Sequence, residues 1–343
     1  GGKPSHRIGK YRLKRRIGQG GMGVVFEAEH PNLDRPVALK ILHAGRGRQP
    51  AAKQRFLSEV KSAGRFNHPN IVHAYDAGID GDIPFLVMEF IDGENLFQIL
   101  MRQGPISVQN AVDWLAQAGR ALMVLEDRGW IHGDGKPSNW ILEKGGVLKL
   151  ADLGLCRPPG VPRDNETVYG TPPYIAPEQL NRGARIDIRS DLYSLGATFY
   201  HLLTGRPPHT ARTVVDLARA HREASVAPLS SLRPGIPAPL ARIVESLIEP
   251  LPEKRLQNCR ELLESLALLP GAPSAPPRKI EGQTRVAAKP LLRAALGSAV
   301  FLICVTLGVF WFRNGNSPTP TPVDPAEEVI IEAEPINLPV AFQ

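Results

Sequence analysis

The sequence has few of the features that mark disulfide scaffolds, zinc domains or nucleic-acid-binding proteins. It has three cysteines, Cys156, Cys259 and Cys304, and they form no CxxC pair. An odd number of widely spaced cysteines argues against a disulfide framework, and the missing pairs argue against a zinc site. No aromatic-interleaved basic patch accompanies the net charge of +7, so nucleic acid is not an expected partner.

Internal repeats and long low-complexity tracts are also missing from the 343 residues. With 43% hydrophobic and 22% charged residues, the composition is typical of a globular protein of one large or two ordinary domains. The positive charge is uneven. Residues 313–343 carry one arginine and five acidic residues, a net charge of −4, which leaves +11 for the rest of the chain. A membrane explains this asymmetry better than nucleic acid does.

One uncharged run, Ala294 to Phe312, is long enough to cross a membrane. Its 19 residues would span roughly 28 Å as a helix. A buried core helix is the alternative, but the Pro- and Glu-rich tail at 313–343 cannot build a core around it. The positive-inside rule places the N-terminal side in the cytoplasm and the tail outside. The basic residues of the preceding linker, 268–293, are Arg278, Lys279, Arg285, Lys289 and Arg293.

The first 267 residues change their periodicity once. After a leader at 1–10, residues 11–91 alternate as strands do, with one helical pattern at 51–66. Residues 92–267 are mainly helical, as at 108–128 and at 187–204, where Gly205 supplies the stop. We therefore predict an α+β fold, with a small β-rich N-lobe (11–91) and a larger helical C-lobe (92–267).

A glycine-rich stretch follows the first strand pattern. It reads Gly18-Gln-Gly20-Gly21-Met-Gly23-Val-Val25. Glycines let main-chain N–H groups approach phosphate oxygens. A dinucleotide-binding turn is the competing interpretation, but it needs a helix directly after the glycines. Here the next residues, VVFEAEH, continue as a strand, so the pattern predicts a hairpin that covers a nucleotide.

A lysine on a strand pattern and a glutamate on a helical pattern follow. Lys40 ends the apolar strand pattern Val37-Ala-Leu-Lys40, and Glu59 lies 19 residues on, inside the 51–66 helical pattern. A lysine in such a place is often a solvated edge residue. A strand–helix pair with Glu59 would instead orient the ammonium group toward the α- and β-phosphates.

The strongest signal is the run His132-Gly133-Asp134-Gly135-Lys136-Pro-Ser-Asn139, followed by a hairpin pattern and Asp152. Asp134 is predicted to accept the proton of an attacking hydroxyl, and Lys136 to reach the γ-phosphate. Asn139 and Asp152 are predicted ligands of Mg²⁺. Each residue alone has an ordinary explanation, but their joint order does not arise easily by chance.

Together these motifs resemble those of eukaryotic-type (Hanks) serine/threonine protein kinases of the bacterial receptor-like kind, over residues 11–267. The resemblance implies a bilobal kinase fold and transfer of the γ-phosphate of ATP to protein Ser/Thr hydroxyls, with Mg²⁺ or, in its place, Mn²⁺. It implies that Met88 is the gatekeeper, that Ala38 and Leu142 sandwich the adenine, and that the backbone near Glu89 and Ile91 holds it. The implied nucleotide contacts are Ile17, Gly18, Gln19, Gly20, Gly21, Met22, Gly23, Val25, Ala38, Lys40, Glu89, Ile91 and Leu142.

Further roles follow from the same resemblance. Glu178 in Ala176-Pro177-Glu178 should form a structural ion pair with Arg255, and Asp191 should brace the catalytic loop through backbone hydrogen bonds. Lys136 and the Gly170-Thr171 segment resemble Ser/Thr rather than Tyr kinases. The resemblance is also compatible with a homodimer and with a signalling role.

Two departures from the family pattern bear on activity. Gly133 replaces the arginine of H-R-D, which normally binds a phosphorylated activation-loop residue. Gly135 replaces an apolar residue, and this change is expected to loosen the loop. We therefore predict an active kinase that does not depend strongly on activation-loop phosphorylation. The alternative is a pseudokinase that serves as a nucleotide-binding or scaffolding module.

Overall fold

A computed structural model describes most of the first 270 residues. The described residues are 6–19, 23–32, 35–42, 56, 60, 64–81, 83–158, 171–181, 184–210, 213–223 and 225–270. Their strands gather in the N-terminal part and their helices in the C-terminal part. This division matches the predicted α+β fold with two lobes.

The N-lobe is built on a six-stranded antiparallel sheet in the order β1-β2-β3-β4-β6-β5. Alternate residues of its strands pack on one face as a small apolar cluster around Tyr11 and Phe85. The register pairs Val25 with Lys40 and Ala38 with Met88, which fixes how these residues face the C-lobe. The strands are β1 (Arg7–Ile8), β2 (Tyr11–Gln19), β3 (Gly23–Glu29), β4 (Pro36–Leu42), β5 (Ala74–Asp80) and β6 (Ile83–Glu89).

The structure changes the boundaries of two N-lobe predictions. β1 pairs with β2, so part of the stretch predicted as a leader (1–10) belongs to the sheet. Of the predicted helix at 51–66, residues 56, 60 and 64–66 are described. Phe56 and Val60 are helical, but Gly64 and Arg65 form a turn, so the predicted C-terminal boundary at residue 66 is too late. Phe56 is buried in the same core cluster as the C-lobe helices, which ties this helix to the larger lobe.

A second, three-stranded sheet lies after the N-lobe and includes the predicted hairpin. Its strands are β7 (Gly93–Asn95), β8 (Trp140–Glu143) and β9 (Leu148–Leu150), in that order. β8 and β9 pair antiparallel, so the hairpin that the sequence predicts between Asn139 and Asp152 is confirmed. This hairpin carries the catalytic loop at one end and Asp152 at the other.

The C-lobe core is helical and centres on one buried helix. Nearly every residue of this helix, α3, is shielded from solvent. Gly205 ends it in the left-handed region at φ 81°, where glycine has no steric penalty, and donates its N–H to the His201 carbonyl at 2.8 Å. The helices are α1 (Leu96–Gln103), α2 (Val108–Glu126), α3 (Ile188–Thr204), α4 (Val214–Glu223), α5 (Leu229–Leu232), α6 (Ala238–Leu247) and α7 (Cys259–Ala267).

Among the residues that the structure describes, no helix is both long and apolar enough to cross a membrane. The predicted span at 294–312 and the tail at 313–343 lie outside the described residues, as do residues 271–293 of the predicted linker.

Candidate active site

A cleft of about 750 Å³ lies between the N-lobe sheet and the C-lobe. The N-lobe strands and the segment after β6 form one wall, and the loop before β8 forms the other. Most of the predicted site residues meet in this cleft. Those that line it are Ile17, Gly18, Gln19, Gly23, Val25, Ala38, Lys40, Glu89, Ile91, Asp134, Lys136, Asn139 and Asp152.

The glycine-rich stretch forms the edge of the cleft. β2 and β3 pair antiparallel on either side of it, as the predicted hairpin requires. A side chain at Gly23 would collide with the backbone carbonyl of Ile41, so glycine is needed where β3 approaches β4. Gly20, Gly21 and Met22 lie outside the described residues, and their contacts with a nucleotide stay a prediction.

Lys40 and Asp152 form an ion pair across the cleft. Lys40 Nζ lies 3.0 Å from Asp152 Oδ1, and β4 and the end of the β8–β9 hairpin bring the two together. The Asp152 side chain is open to the cleft, yet the surrounding protein partly desolvates it, which by itself would raise its pKa. The charge and hydrogen bond of Lys40 outweigh this effect and lower the pKa to about 2, so the carboxylate is ionised. Asp152 has φ 59°, an unusual conformation for a non-glycine residue and a sign of a functional constraint. Glu59, the predicted partner of Lys40, lies outside the described residues.

Three polar side chains gather around Asp134 of the catalytic loop. Lys136 Nζ lies 2.7 Å from Asp134 Oδ2, and it donates to Thr171 Oγ1 at 2.9 Å. The Asn139 amide donates to the Asp134 carbonyl at 2.9 Å and to Oδ2 at 3.3 Å. Thr171 Oγ1 donates to Asp134 Oδ1 at 3.3 Å. A hydroxyl, a carboxylate and an ammonium group therefore already meet at one point of the cleft.

Buried charged residues brace the catalytic loop and the start of α3. The carboxylate of Asp191, on α3, accepts from the backbone N–H groups of His132 at 2.6 Å and Gly133 at 2.8 Å. Glu178 and Arg255 form a bidentate pair with two contacts of 2.7 Å. Burial would raise the pKa of Glu178, but Arg255 lowers it. Both predicted roles, the brace and the structural ion pair, are confirmed.

The residues present suit a magnesium ion that is held partly by the nucleotide. Because the Asn139 amide nitrogen donates to Asp134, its oxygen is the remaining ligand atom, and Asp152 supplies a carboxylate. Mg²⁺ usually takes one or two such protein ligands and completes its shell with water and phosphate oxygens. Accordingly, the described residues contain no cluster of three or more His, Cys, Asp or Glu that could hold a metal alone.

The comparison with protein families shows to which family the chain belongs. The family model of the protein kinase domain matches residues 11–266. The chain belongs to the protein kinase family. The curated proteins that it resembles are named serine/threonine-protein kinases.

The kinase is similar to several curated bacterial proteins. It is 35% identical to the serine/threonine-protein kinase PknB of Mycobacterium tuberculosis over 304 residues, which cover 86% of this chain and 48% of PknB. It is 36% identical over 277 residues to the serine/threonine-protein kinase pkn2 of Myxococcus xanthus, covering 78% of this chain and 33% of the relative. A probable serine/threonine-protein kinase of Clostridium acetobutylicum is 32% identical over 260 residues, 75% of this chain and 39% of that protein. The chain thus spans about half of PknB and less of the other two.

In this kinase, the segment that joins the lobes has a fixed backbone. Glu89 donates its N–H to the His73 carbonyl at 2.8 Å, and its carboxylate pairs with Lys149 of β9 at 2.9 Å. Both the side chain and the N–H of Glu89 therefore have protein partners. Glu89 and Ile91 line the cleft, and the adenine contacts of their backbone stay a prediction. Met88, the predicted gatekeeper, also lines the cleft.

The prediction that Leu142 faces the nucleotide is wrong by one residue. Ile141 lines the cleft, whereas Leu142 packs against the C-lobe core together with Trp140. Successive side chains of β8 point to opposite faces, so only one of the two can face the cleft. Ile141, which lines the cleft as Ala38 does, therefore takes the place of Leu142 in the pair predicted to sandwich the adenine.

The prediction that Gly135 loosens the catalytic loop is also corrected. Gly135 is buried, and a Cβ added to it would lie 2.8 Å from the Cβ of Ser194 on α3. The missing side chain therefore lets the loop pack directly on the central helix. Leu153, which follows Asp152, is buried in the core.

Sequence reasoning did not count Thr171 among the site residues. Its hydroxyl contacts both Asp134 and Lys136. The signal was available, since Gly170-Thr171 was recognised as typical of Ser/Thr kinases. The contact itself depends on how the chain returns to the catalytic loop 35 residues later.

Proposed function

We propose that this chain is an active, ATP-dependent protein kinase that transfers the γ-phosphate of Mg-ATP to serine and threonine hydroxyls of proteins. One observation carries the proposal: Asp134, Lys136, Asn139 and Asp152 meet in one cleft with Lys40. These are the base, phosphate and metal positions of the family, and the relatives' printed names describe serine/threonine kinases.

The residues divide the reaction between them. The acceptor hydroxyl loses its proton to Asp134 as its oxygen bonds to the γ-phosphorus, and the bond from that phosphorus to the bridging oxygen breaks to release ADP. Lys136, beside Asp134, attracts the γ-phosphate oxygens, and Lys40 attracts the α- and β-phosphates. Bound Mg²⁺ would neutralise phosphate charge, held by Asn139 and Asp152.

A phosphotransfer assay tests this proposal. The full chain, in detergent, is incubated with Mg²⁺, labelled ATP and myelin basic protein, and the labelled amino acids are identified after hydrolysis. We expect phosphoserine and phosphothreonine. Label on tyrosine alone, or no transfer by protein that binds ATP, would refute the proposal.

The pseudokinase alternative receives no support from the described site. Gly133 and Gly135 are the residues that raised it, yet Gly133 is held by Asp191 and Gly135 packs on Ser194. Neither substitution removes a side chain that contacts a phosphate, the metal or the acceptor hydroxyl.

We further propose that the kinase is anchored to a membrane and takes part in signalling. The support is the 19-residue uncharged run at 294–312 and the basic residues before it. Carbonate extraction of membranes from cells that express the full chain tests the anchor. Wild type should stay in the pellet, and Val305→Arg, which places a charge in the middle of the run, should shift to the supernatant. Extraction of the wild type would contradict the anchor.

A further inference from the structure

The segment Thr171–Ala176 lies beside the proposed catalytic base. Thr171 contacts Asp134 and Lys136 at its first residue. From there the chain turns through a short 3₁₀ helix, Pro172–Tyr174, and reaches Ala176. A polypeptide acceptor whose hydroxyl meets Asp134 must pass this segment. Its position therefore decides where the acceptor lies relative to the base.

Side chains of two helices hold the far end of the segment through its backbone carbonyls. Ser194, on α3, donates its hydroxyl to the Tyr174 carbonyl at 2.8 Å. His221, on α4, places Nε2 3.1 Å from the Ile175 carbonyl oxygen. A carbonyl can only accept, so His221 Nε2 carries the proton. The other ring nitrogen, Nδ1, faces the Tyr193 hydroxyl at 3.4 Å.

The surroundings of His221 keep its ring neutral and its tautomer fixed. The ring is packed edge to face against His209, with 4.6 Å between centroids, and Arg255 lies over the Tyr193 ring at 4.9 Å. Burial and the neighbouring His209 lower the pKa of His221 to about 4. The hydrogen bond to Ile175 is therefore a neutral one at ordinary pH, and it needs no ionised partner.

Because Gly133 has no side chain, the contacts that hold residues 171–176 become important. An arginine at this position would supply a guanidinium group to bind a phosphorylated residue, but glycine supplies none. The segment is then held by its own contacts. These are the Thr171 hydroxyl with Asp134 and Lys136, the Tyr174 hydroxyl with His201, and the backbone carbonyls of Tyr174 and Ile175.

We infer that His221 is a positioning residue for the protein substrate: by holding the Ile175 carbonyl, it keeps Thr171–Ala176 in place beside Asp134. This inference rests on the proposed kinase function. It predicts that loss of the His221 N–H weakens use of the protein acceptor and leaves use of ATP unchanged.

The test compares two substitutions in the full chain. His221→Phe keeps a ring but loses the donor, whereas His221→Gln has an amide nitrogen at about the distance of Nε2. With myelin basic protein as acceptor, we expect His221→Phe to raise the acceptor KM about tenfold, because a buried carbonyl loses its donor. The ATP KM should stay within about twofold, and His221→Gln should restore the acceptor KM to within about threefold of wild type. Arg222→Ala, an exposed change on the same helix, is the control and should behave as wild type.

An unchanged acceptor KM in His221→Phe, or an equal rise in both KM values, would overturn the inference. If His221→Phe does not fold, His221→Asn replaces it, because the shorter amide cannot reach Ile175 and Asn should show the same tenfold effect against Gln.

Amide hydrogen exchange of residues 171–176 separates this inference from the proposed function. If the wild type transfers no phosphate, the kinase proposal fails on its own. Faster exchange in His221→Phe than in His221→Gln would still support the positioning role, and equal rates would refute it.

Discussion

The cleft and the buried start of α3 carry the same kinds of charged residue in different settings. On the cleft side, Asp152 is 41% exposed at its side chain and pairs with Lys40, and Lys136 pairs with Asp134. At the start of α3, the Arg255 side chain is fully buried. Its guanidinium makes five hydrogen bonds, to both oxygens of Glu178 and to the carbonyls of Arg189, Glu249 and Pro250.

This difference shows which charges can act on a ligand. An arginine has five N–H donors, and Arg255 uses all of them on the protein, so it can only stabilise the fold. Residues of the cleft pairs are within reach of a ligand and can exchange a protein partner for a phosphate, a metal ion or a hydroxyl. Residue type alone does not separate the two roles, and neither does burial, since Lys40 is as buried as Glu178. The partners and the access to the cleft do.

The largest expected effect is on stability, from breaking the buried pair. Arg255→Met should lower the free energy of unfolding by about 3–5 kcal/mol, because Glu178 would be left buried without its cation. Urea denaturation measures this loss. The double variant Glu178→Leu/Arg255→Met should be less destabilised than the single one, since no unpaired charge remains. A single variant as stable as wild type would remove the contrast between the two sides.

Removing Lys40, the cation of the cleft pair, should lower the activity and leave the stability nearly unchanged. Lys40→Met should lower the rate of phosphate transfer by about 10²–10³, because a charge that stabilises the phosphates is lost. The unfolding midpoint should change little, because Asp152 stays accessible to water. Lys144→Met, which removes an exposed lysine paired with Asp92, is the matched control and should leave the rate unchanged. A large loss of stability in Lys40→Met would show that the cleft pair is architectural as well.

A smaller effect concerns the buried histidines of the C-lobe. Burial lowers the pKa of His201 to about 4, below its usual value near 6.5, and its Nδ1 lies 2.8 Å from the Tyr174 hydroxyl. Between about pH 4 and pH 6.5, His201 is therefore protonated in the unfolded chain and neutral in the folded chain. The stabilisation is present above pH 6.5 and is lost as the pH falls from 6.5 toward 4. The slope is up to ~1.4 kcal/mol per pH unit.

His201→Gln tests this pH dependence, because glutamine does not titrate in this range. Unfolding measured from pH 7 to pH 4 should show a shallower fall in the variant than in wild type. Parallel curves would mean that the pKa of His201 is the same in the folded and the unfolded chain, and would contradict this prediction.

The spacing of the motifs was enough to predict the cleft charges. Lys40, Asp134, Asn139 and Asp152 lie in segments whose local pattern fixes strand, loop or hairpin, so their meeting point follows from the fold. The choice between Ile141 and Leu142 does not follow locally, because the phase of a four-residue strand depends on which side its neighbours cover.

Contacts between distant segments were beyond local patterns. The packing of Gly135 on Ser194 joins residues 59 positions apart, and no neighbouring residue signals it. The bond from His221 to Ile175 spans 46 positions and depends on how α4 folds back onto the segment. Sequence reasoning therefore found the chemistry and, through the family resemblance, the Asp191 and Glu178–Arg255 contacts. It missed the contacts of Gly135 and His221, which the resemblance does not imply.

The single-turnover rate of Asp134→Asn, with ATP and acceptor bound, tests the central claim most directly. If Asp134 accepts the proton of the hydroxyl, the rate should fall on the order of 10²–10⁴, while ATP affinity and the urea midpoint stay near wild type. Asp92→Asn, a change at an exposed carboxylate on the rim of the same cleft, should keep the wild-type rate. A wild-type rate in Asp134→Asn would contradict the assignment of Asp134 as the base, and with it the account of the cleft.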